Sequence, residues 1–262
     1  MLRSIVTALA FQVGLAFAAV PKEKPGVTRC GVEAPPKELV AQAQQFQRVA
    51  NEISKEEQSA RLAARSIVVN TYFHVVTTRA KQGTITQTML NNQLTVLSNS
   101  YSPSGITFKL ISTDFTTNDQ WATGNYDSQM KPALRKGNYA DLNVYFLSDL
   151  SGILGICNFP KSAPRGSTAF NEDGCNVLAQ TVPGGNVANF NLGGTATHEV
   201  GHWFGLFHVF QGQSCSGAGD SVNDTPIQRV ATSGCPSTQD SCPNAAGLDS
   251  IHNYMDYSHD IW

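Results

Sequence analysis

The chain has 262 residues, of which 41% are apolar and 15% are charged, and its net charge is −2. This length and apolar content exclude disorder as a description of the whole chain, because one or two domains of this size can bury a core. The near-neutral charge lacks the electrostatic footprint of a protein that binds nucleic acid or an anionic membrane surface, so we expect neither as a partner.

The first residues are typical of a secretory signal peptide. Arg3 supplies a positive charge, residues 5–17 form an apolar stretch, and Ala16 and Ala18 give a small-x-small cleavage pattern. The stretch is too short for a membrane anchor, which needs roughly 20 apolar residues. We therefore expect residues 1–18 to be removed and the protein to be secreted into an oxidising compartment, where its six cysteines can pair.

The segment over residues 19–65 is interpreted as a pro-region. Residues 21–36 are rich in Pro, Gly and charge, which predicts a linker. Residues 37–65 carry apolar side chains at helical spacing among good helix formers, which predicts a helix peripheral to the main core.

The globular domain is predicted to begin at Ser66. In chain order, the hydrophobic patterns predict a strand over 67–76, a helix over 86–101, strands over 106–110, 142–147 and 176–182, and a helix over 195–206. Everything after Phe210 is rich in Ser, Gly, Asp, Pro and Cys, which predicts long loops held by disulfides. Cys157 and Cys175 are close enough in sequence to close another loop.

The strongest motif is H-E-x-x-H-x-x-G-x-x-H, which begins at His198. On a helix, His198 and His202 lie one turn apart on the same face, so both imidazoles can reach one metal ion with Glu199 beside it. Gly205 can adopt a positive φ, which would end the helix and bring His208 back as a third ligand. Three neutral imidazoles leave one tetrahedral position of zinc for water, as in a catalytic site, whereas a structural zinc module closes its shell with four ligands.

Such a site predicts hydrolysis of peptide bonds. Zinc lowers the pKa of its bound water, Glu199 takes the proton as general base, and the resulting hydroxide attacks the peptide carbonyl. We expect the substrate to lie extended along an exposed sheet edge, where it adds main-chain hydrogen bonds as an extra strand. Residues 176–182 are the candidate edge strand.

With this motif, the chain resembles the metzincin metalloproteases, and within them the pappalysin family and its secreted fungal extracellular metalloproteases. The resemblance rests on H-E-V-G-H-W-x-G-L-x-H and on N-Y-M-D-Y-S at residues 253–258, and it covers residues 66–258. It implies an α+β, zincin-like fold, with a mixed twisted sheet over the active-site helix and an irregular, disulfide-tied C-terminal part. It also implies that Met255 forms the hydrophobic floor beneath the zinc and that Tyr257 helps to stabilise the reacting carbonyl oxygen.

The resemblance suggests two further features of the C-terminal part. Clustered carboxylates and carbonyls suit a hard cation, and Asp220, the Val222 carbonyl and Thr225 stand at positions that contribute to a calcium loop in the family. A solvated acidic turn is the alternative, with equal weight. The family pattern also pairs Cys215 with Cys242.

Cys30, which precedes Gly31 in the pro-region, has two open interpretations. Its thiolate could occupy the open position of zinc and keep the enzyme latent until residues up to about Arg65 are removed, which resembles the cysteine switch of some metzincin precursors. The alternative is a disulfide with Cys235. In the family, the partner of Cys235 usually follows the methionine turn, whereas this chain stops at Trp262, so we interpret its C-terminus as truncated.

Together these features predict a secreted zinc endopeptidase that acts on proteins or peptides, with its catalytic domain over residues 66–262. The alternative is a truncated, catalytically inactive form that binds zinc or peptides. The complete histidine and glutamate set favours the enzyme, and the short C-terminus favours the inactive form. The sequence indicates neither the oligomeric state nor the physiological substrate, and no acidic residue that would select a basic side chain is identified.

Overall fold

The protein is described by a computed structural model over residues 28–54, 56–57, 59–60 and 66–261. The signal peptide expected at residues 1–18 lies outside this part of the chain. The α-helices run over Lys37–Glu52 (α1), Gln87–Tyr101 (α2), Asp127–Leu134 (α3), Thr168–Asn171 (α4) and Gly194–Trp203 (α5). The strands run over Thr28–Cys30 (β1), Ile67–Thr77 (β2), Ile106–Thr117 (β3), Leu142–Leu147 (β4), Ile153–Cys157 (β5) and Cys175–Leu178 (β6).

The strands form one mixed sheet in the order β1-β5-β6-β4-β2-β3. β5 runs antiparallel to β6, and every other neighbouring pair is parallel. β1, which comes from the predicted pro-region, is the outermost strand on the β5 side. This arrangement confirms the mixed α+β fold expected from the resemblance.

The centre of the sheet is covered on both faces, as parallel strands require. All six residues of β4 are buried, which matches a sequence that is apolar at every position except Asn143. On one face, α2 contributes Leu90 and Leu97 and α5 contributes Ala196 and Val200 to the larger core cluster. The opposite face is closed by a smaller cluster that includes Met130 of α3. The active-site helix therefore lies directly under the sheet.

Helix α2 also fixes the start of α5 through polar contacts. Gln93 donates from its Nε2 atom to the carbonyl of Gly193 at 3.1 Å, and the Tyr101 hydroxyl donates to the carbonyl of Thr197 at 2.9 Å. Both acceptors lie at or near the first turn of α5. The position of the active-site helix is thus set by hydrogen bonds as well as by apolar packing.

Several predicted elements have different bounds. The strand predicted over 106–110 continues to Thr117, and the helix predicted over 195–206 ends at Trp203. Within the helix predicted over 37–65, α1 ends at Glu52 and the described residues 56–57 and 59–60 are again helical, whereas residues 55, 58 and 61–65 lie outside the described residues. The linker predicted over 21–36 contains β1, because those residues pair with an edge that the sequence pattern did not reveal.

The prediction that residues 176–182 form an exposed edge is wrong. β6 covers only Cys175–Leu178 and is followed by a 3-10 turn over Ala179–Thr181. It lies inside the sheet because β5, which was not predicted, pairs with it on the side away from β4. On this side of the sheet β5 pairs with β1, so β5 would form the edge only in the absence of β1.

Residues 211–261 contain no helix or strand, as their composition predicted. A disulfide joins Cys215 to Cys242 in this region, and a second one joins Cys157 to Cys175 across β5 and β6. Both pairs are those that the sequence analysis gave. The irregular part is thus held by a covalent link and by side-chain hydrogen bonds.

Candidate active site

The ring nitrogens of His198, His202 and His208 converge on one point. Their Nε2 atoms are separated by 3.1 Å (198 to 202), 3.1 Å (202 to 208) and 3.3 Å (208 to 198). A tetrahedral zinc ion with Zn–N bonds of about 2.0–2.1 Å holds its nitrogens about 3.3 Å apart. The spacing of the triad therefore fits zinc.

Backbone carbonyls fix the orientation of two of these rings. His198 Nδ1 lies 2.6 Å from the carbonyl oxygen of Tyr254, and His202 Nδ1 lies 2.8 Å from that of Leu206. Because a carbonyl only accepts, each Nδ1 carries the proton and each Nε2 presents its lone pair to the centre. Burial lowers the pKa of His202 to about 4, and burial together with His202 lowers the pKa of His208 to about 3. The triad is neutral at physiological pH, as metal ligands must be.

Gly205 makes the turn that returns His208 to the centre. Its φ is +93°, a conformation that favours glycine. The amide of Gly205 donates to the carbonyl of His202 at 2.9 Å, and the amide of Leu206 donates to that of Gly201 at 2.9 Å. The chain therefore leaves α5 as the motif predicts.

The Glu199 carboxylate is fully buried beside the triad. Burial raises its pKa to about 8, although the Cys30 thiol and the charge of Arg29 oppose this shift. Neither carboxylate oxygen accepts a hydrogen bond from another N–H or O–H group in the described part of the chain. A carboxylate without a donor in such a place is costly unless a cation or a polarised water compensates it. Glu199 and the three histidines therefore fit a site for a metal ion and its water.

Strand β5 passes directly over Glu199. A Cβ atom added to Gly155 would lie 2.4 Å from Glu199 Oε1, so only glycine fits at this position. The close approach places the backbone of the edge strand next to the base. A peptide paired with β5 would consequently lie alongside the histidine centre.

Met255 and Tyr257 lie beside the triad. A Cβ atom on Gly201 would lie 2.3 Å from the sulfur of Met255, so that sulfur packs closely against the backbone of α5. The Tyr257 ring centroid lies 5.1 Å from that of His208, and its hydroxyl donates to the carbonyl of Cys30 at 3.4 Å. Burial raises the pKa of Tyr257, so its hydroxyl keeps the proton. Both side chains therefore lie next to the histidine centre.

Cys30 occupies the open side of the triad. β1 runs parallel to β5 with Cys30 opposite Gly155, and the amide of Gly31 donates to the carbonyl of Gly155 at 2.9 Å. The Cys30 sulfur and one nitrogen from each triad histidine all lie within 4.8 Å of one another. The alternative disulfide with Cys235 is wrong, because Cys30 is buried at the centre whereas Cys235 is free and exposed.

Asp260 and Arg29 form a buried pair next to the centre that the sequence analysis missed. Arg29 Nη2 lies 3.4 Å from Asp260 Oδ1, and the two side chains are 6% and 1% exposed. Arg29 Nη1 also donates to the carbonyl of Ser258 at 2.6 Å. The other oxygen of Asp260 accepts from the amide of Gly194, the first residue of α5, at 3.1 Å. No local pattern could have revealed this pair, because its residues lie 231 positions apart.

The loop around Asp220 lies away from the triad. Asp220 is 8% exposed, and its Oδ1 atom accepts from the amide of Val222 at 3.0 Å. Burial raises the pKa of Asp220 to about 6. The amide of Thr225 donates a hydrogen bond to the carbonyl of Val222 at 3.4 Å, and Asn223 donates to the carbonyl of Gln47 on α1 at 3.4 Å. The three residues implied by the resemblance therefore lie in one turn.

Comparisons with known proteins agree with this geometry. The family described as Peptidase_M43, pregnancy-associated plasma protein-A, matches residues 124–261. An extracellular metalloprotease of Podospora anserina is 50% identical over 98% of this chain and 90% of its own length. A second, from Neurospora crassa, is 46% identical over 99% of this chain and 90% of its own length.

Two solved structures resemble the fold. Mature mirolysin of Tannerella forsythia in complex with a cleaved peptide has a TM-score of 0.59 and 26% identity, covering 75% of this chain and 86% of its own. A mutant of promirolysin from the same organism has a TM-score of 0.64 and 25% identity, covering 89% and 88%. Within the described ranges, no helix is long and apolar enough to cross a membrane.

Proposed function

Because the chain belongs to the Peptidase_M43 family and is a zinc-dependent metalloendopeptidase of the secreted type, we propose that it cuts proteins or peptides at the centre formed by His198, His202 and His208. In this proposal Glu199 is the general base. The observation that carries it is a buried carboxylate that accepts no hydrogen bond from an N–H or O–H group, beside three neutral imidazoles whose spacing fits zinc. When bound, zinc lowers the pKa of a coordinated water and polarises the scissile carbonyl.

Glu199 handles the proton in this reaction. Burial raises the pKa of Glu199 when no metal is bound, whereas the positive charge of a bound zinc would oppose this shift and favour the ionised carboxylate that accepts a proton. Glu199 accepts the proton from the attacking water and returns it to the nitrogen of the leaving amine. Burial lowers the pKa of all three histidines, so they stay neutral, and the bonds to backbone carbonyls fix which ring nitrogen of His198 and His202 carries the proton.

Tyr257 is proposed to stabilise the oxyanion. Its hydroxyl already donates to a main-chain carbonyl, that of Cys30, on the open side of the triad. A scissile carbonyl that took the place of the Cys30 carbonyl would receive the same hydrogen bond. Donors of this kind act most strongly on the charge that develops in the transition state.

The substrate is proposed to pair with the edge of β5. β1 uses this edge through the carbonyls of Gly152 and Gly155, which accept amides of Thr28 and Gly31 at 2.9 Å each. Strand addition supplies main-chain hydrogen bonds without regard to sequence, which suits an enzyme that acts on extended peptides. Once β1 leaves, these carbonyls are free to accept substrate amides.

Side-chain preference is proposed to come from Asp260. The carboxylate is buried and holds the guanidinium of Arg29, whose ζ carbon also lies 5.0 Å from the centroid of the Phe190 ring. A pocket with a buried carboxylate and an aromatic wall favours a basic side chain. We therefore expect cleavage next to arginine or lysine in the substrate.

The protein is proposed to be latent while the pro-region, residues 19–65, is attached. Cys30 and Arg29 fill the open side of the triad and the Asp260 pocket, so no substrate can enter. A thiolate is a good zinc ligand, so Cys30 would complete the tetrahedral shell of the metal. Removal of residues up to about Arg65 would leave the catalytic domain, residues 66–262.

Calcium is proposed at the loop of Asp220, Val222 and Thr225. The supporting observation is that the Asp220 carboxylate is buried without a cationic partner in the described residues and has a pKa raised to about 6. A calcium ion would compensate that charge with the oxygen ligands that it prefers. Its role would be to hold the irregular C-terminal part together.

The proposal is tested by activating the full chain and adding an unfolded protein as substrate. We expect cleavage that chelation abolishes and zinc restores, and that Glu199→Gln reduces by on the order of 10²–10⁴-fold, the usual worth of a general base. Zinc content and the unfolding midpoint of the variant are the controls for the metal site and the fold. A folded, zinc-loaded and activated protein that cuts nothing would favour the inactive, peptide-binding alternative instead.

A further inference from the structure

The carboxylate of Asp256 is buried in the turn between Met255 and Tyr257, and it is neither a metal ligand nor a proton donor or acceptor in the proposed reaction. The residue is 1% exposed, and its two oxygens accept four hydrogen bonds. In the described part of the chain it forms no ion pair. Burying a carboxylate without a cationic partner costs free energy unless hydrogen bonds offset it, and these four neutral donors supply that compensation.

Three of the four donors come from a distant loop, and the fourth is the amide of Tyr257. Oδ1 accepts the amide of Thr232 at 2.9 Å and the amide of Tyr257 at 2.8 Å. Oδ2 accepts Nε2 of Gln228 at 2.9 Å and the hydroxyl of Thr232. The carboxylate therefore joins the backbone of Tyr257 to the loop over residues 228–232.

Neighbouring groups fix which atoms donate. The side-chain oxygen of Gln228 accepts the amide of Ser250 at 3.0 Å, so its nitrogen must face Asp256. The Thr232 hydroxyl oxygen accepts Nε2 of Gln239 at 3.2 Å, which leaves its proton for Asp256. Four fixed donors need four lone pairs, and of the side chains of this size only a carboxylate supplies them.

Met255 depends less on this carboxylate. Its amide donates to Oδ1 of Asn253 at 2.9 Å, and its carbonyl accepts the amide of Val209 at 3.3 Å. The Tyr257 amide, by contrast, donates to Asp256, and the Tyr257 ring is otherwise held by ring contacts such as that with Phe210 at 4.9 Å. The effect of Asp256 is therefore directed at Tyr257.

We propose that Asp256 is a positioning residue that holds the backbone of Tyr257 so that the Tyr257 hydroxyl meets the reacting carbonyl. The inference rests on the proposed role of Tyr257 in stabilising the oxyanion. The residue touches neither the metal ligands nor the substrate, and it acts through the main chain of its neighbour. Catalytic geometry is sensitive to such support, since a displacement of about 1 Å can cost roughly 10²-fold in rate.

The test is a double-mutant cycle of Asp256→Asn and Tyr257→Phe in the activated, zinc-loaded enzyme. Each oxygen of Asp256 accepts two hydrogen bonds, so in either orientation of its amide an asparagine at 256 would place its NH2 group against two donors. We expect Asp256→Asn to lower kcat by on the order of 10²-fold with little change in KM, which is close to the loss expected for Tyr257→Phe. The double variant should be no more than about threefold slower than Tyr257→Phe alone, because residues that act as a unit are not additive.

Asp141→Asn is the matched control. Asp141 is a buried carboxylate just before β4, 5% exposed, and it accepts from Nδ2 of Asn70 and from the amide and Nδ2 of Asn138. None of these donors contacts Asp256 or its donors, so the kcat of Asp141→Asn should stay within about threefold of the parent, as expected for an uncoupled site. If Asp256→Asn fails to fold, Thr232→Ala removes one donor of the same carboxylate and should show the same non-additivity.

A second measurement needs no activity. In the full zinc-loaded chain, amide hydrogen exchange of Tyr257 and Thr232 should be faster by at least about tenfold in Asp256→Asn than in Asp141→Asn, because local opening controls the rate. Unchanged exchange, or rate losses that multiply in the double variant, would overturn the positioning role. If Tyr257→Phe alone is harmless, the proposed oxyanion donor fails and this inference with it. An activated parent that cuts nothing would refute the proposed function. That result is distinct from failure of the positioning role and from failure of the oxyanion donor.

Discussion

Replacing Arg29 with alanine should open the pro-region at its edge strand. The guanidinium is buried, donates to the carbonyl of Ser258 at 2.6 Å and pairs with Asp260 at 3.4 Å. Breaking a buried ion pair costs about 3–5 kcal/mol. Asp260 keeps the amides of Leu192 and Gly194 as donors, so we take the lower end of that range. About 3 kcal/mol corresponds to roughly a 150-fold larger population of the open state.

The two free cysteines provide the assay. Cys235 is exposed and should react at once with an alkylating reagent, whereas Cys30 is buried and should react only when β1 detaches. Mass spectrometry of the labelled peptides follows both sites in one sample. We expect Arg29→Ala to raise the labelling rate of Cys30 by on the order of 10²-fold and to leave the rate of Cys235 unchanged.

Arg48→Ala is the matched control, because Arg48 is an exposed arginine on α1 in the same pro-region. Its Cys30 labelling should equal that of the parent. An unchanged Cys30 rate in Arg29→Ala would refute the reasoning that the Asp260 pocket anchors the pro-region. Faster labelling of Cys30 together with a lowered unfolding midpoint of the whole chain would indicate general unfolding instead.

Three further predictions concern stability and are read from chemical unfolding. A methyl group at Gly201 would lie 2.3 Å from the Met255 sulfur, so Gly201→Ala should cost about 1–3 kcal/mol, and Met255→Ala in the same chain should restore part of it. A neutral Gly201→Ala would contradict the close packing of the methionine turn. Replacing both Cys157 and Cys175, which lie 18 residues apart, with serine should lower the free energy of unfolding by about 3 kcal/mol. Cys235→Ser removes a free thiol and should leave the free energy of unfolding unchanged. Burial raises the pKa of Asp220 from 3.8 to about 6, so the calcium-free protein should lose stability as pH rises through this window. With a chelator present, Asp220→Asn should therefore raise the free energy of unfolding by about 3 kcal/mol at neutral pH and leave it unchanged below about pH 4. An equal effect at the two pH values would contradict a buried charge at Asp220.

Elements with strong local patterns could be predicted from the sequence. β2 and β4 are long runs of β-branched and apolar residues at the centre of the sheet, and α2 presents Leu90 and Leu97 at helical spacing to the core. The zinc motif encodes its own geometry, since the spacing of His198 and His202 and the turn at Gly205 depend only on residues nearby. Patterns of this kind hold because one short segment contains all the interacting groups.

Features that depend on distant residues could not be predicted. β5 and β1 are short strands with a glycine at the edge, and neither shows the alternation that marks a strand. The error about the substrate edge followed, because β6 becomes an inner strand only when β5 pairs with it. The Asp260 pocket likewise depends on Arg29 from the opposite end of the chain, and no local sequence pattern predicts such a contact.

The central claim is that three histidines hold zinc in both forms, and that the fourth ligand changes from the Cys30 thiolate to water. X-ray absorption of zinc in the full chain measures this directly, because a sulfur ligand lies at about 2.3 Å and nitrogen or oxygen ligands at about 2.0–2.1 Å. The account predicts one sulfur and three nitrogens in the latent protein, and no sulfur in Cys30→Ser or after activation. A shell without sulfur in the latent protein, or with fewer than three imidazoles in either form, would contradict it.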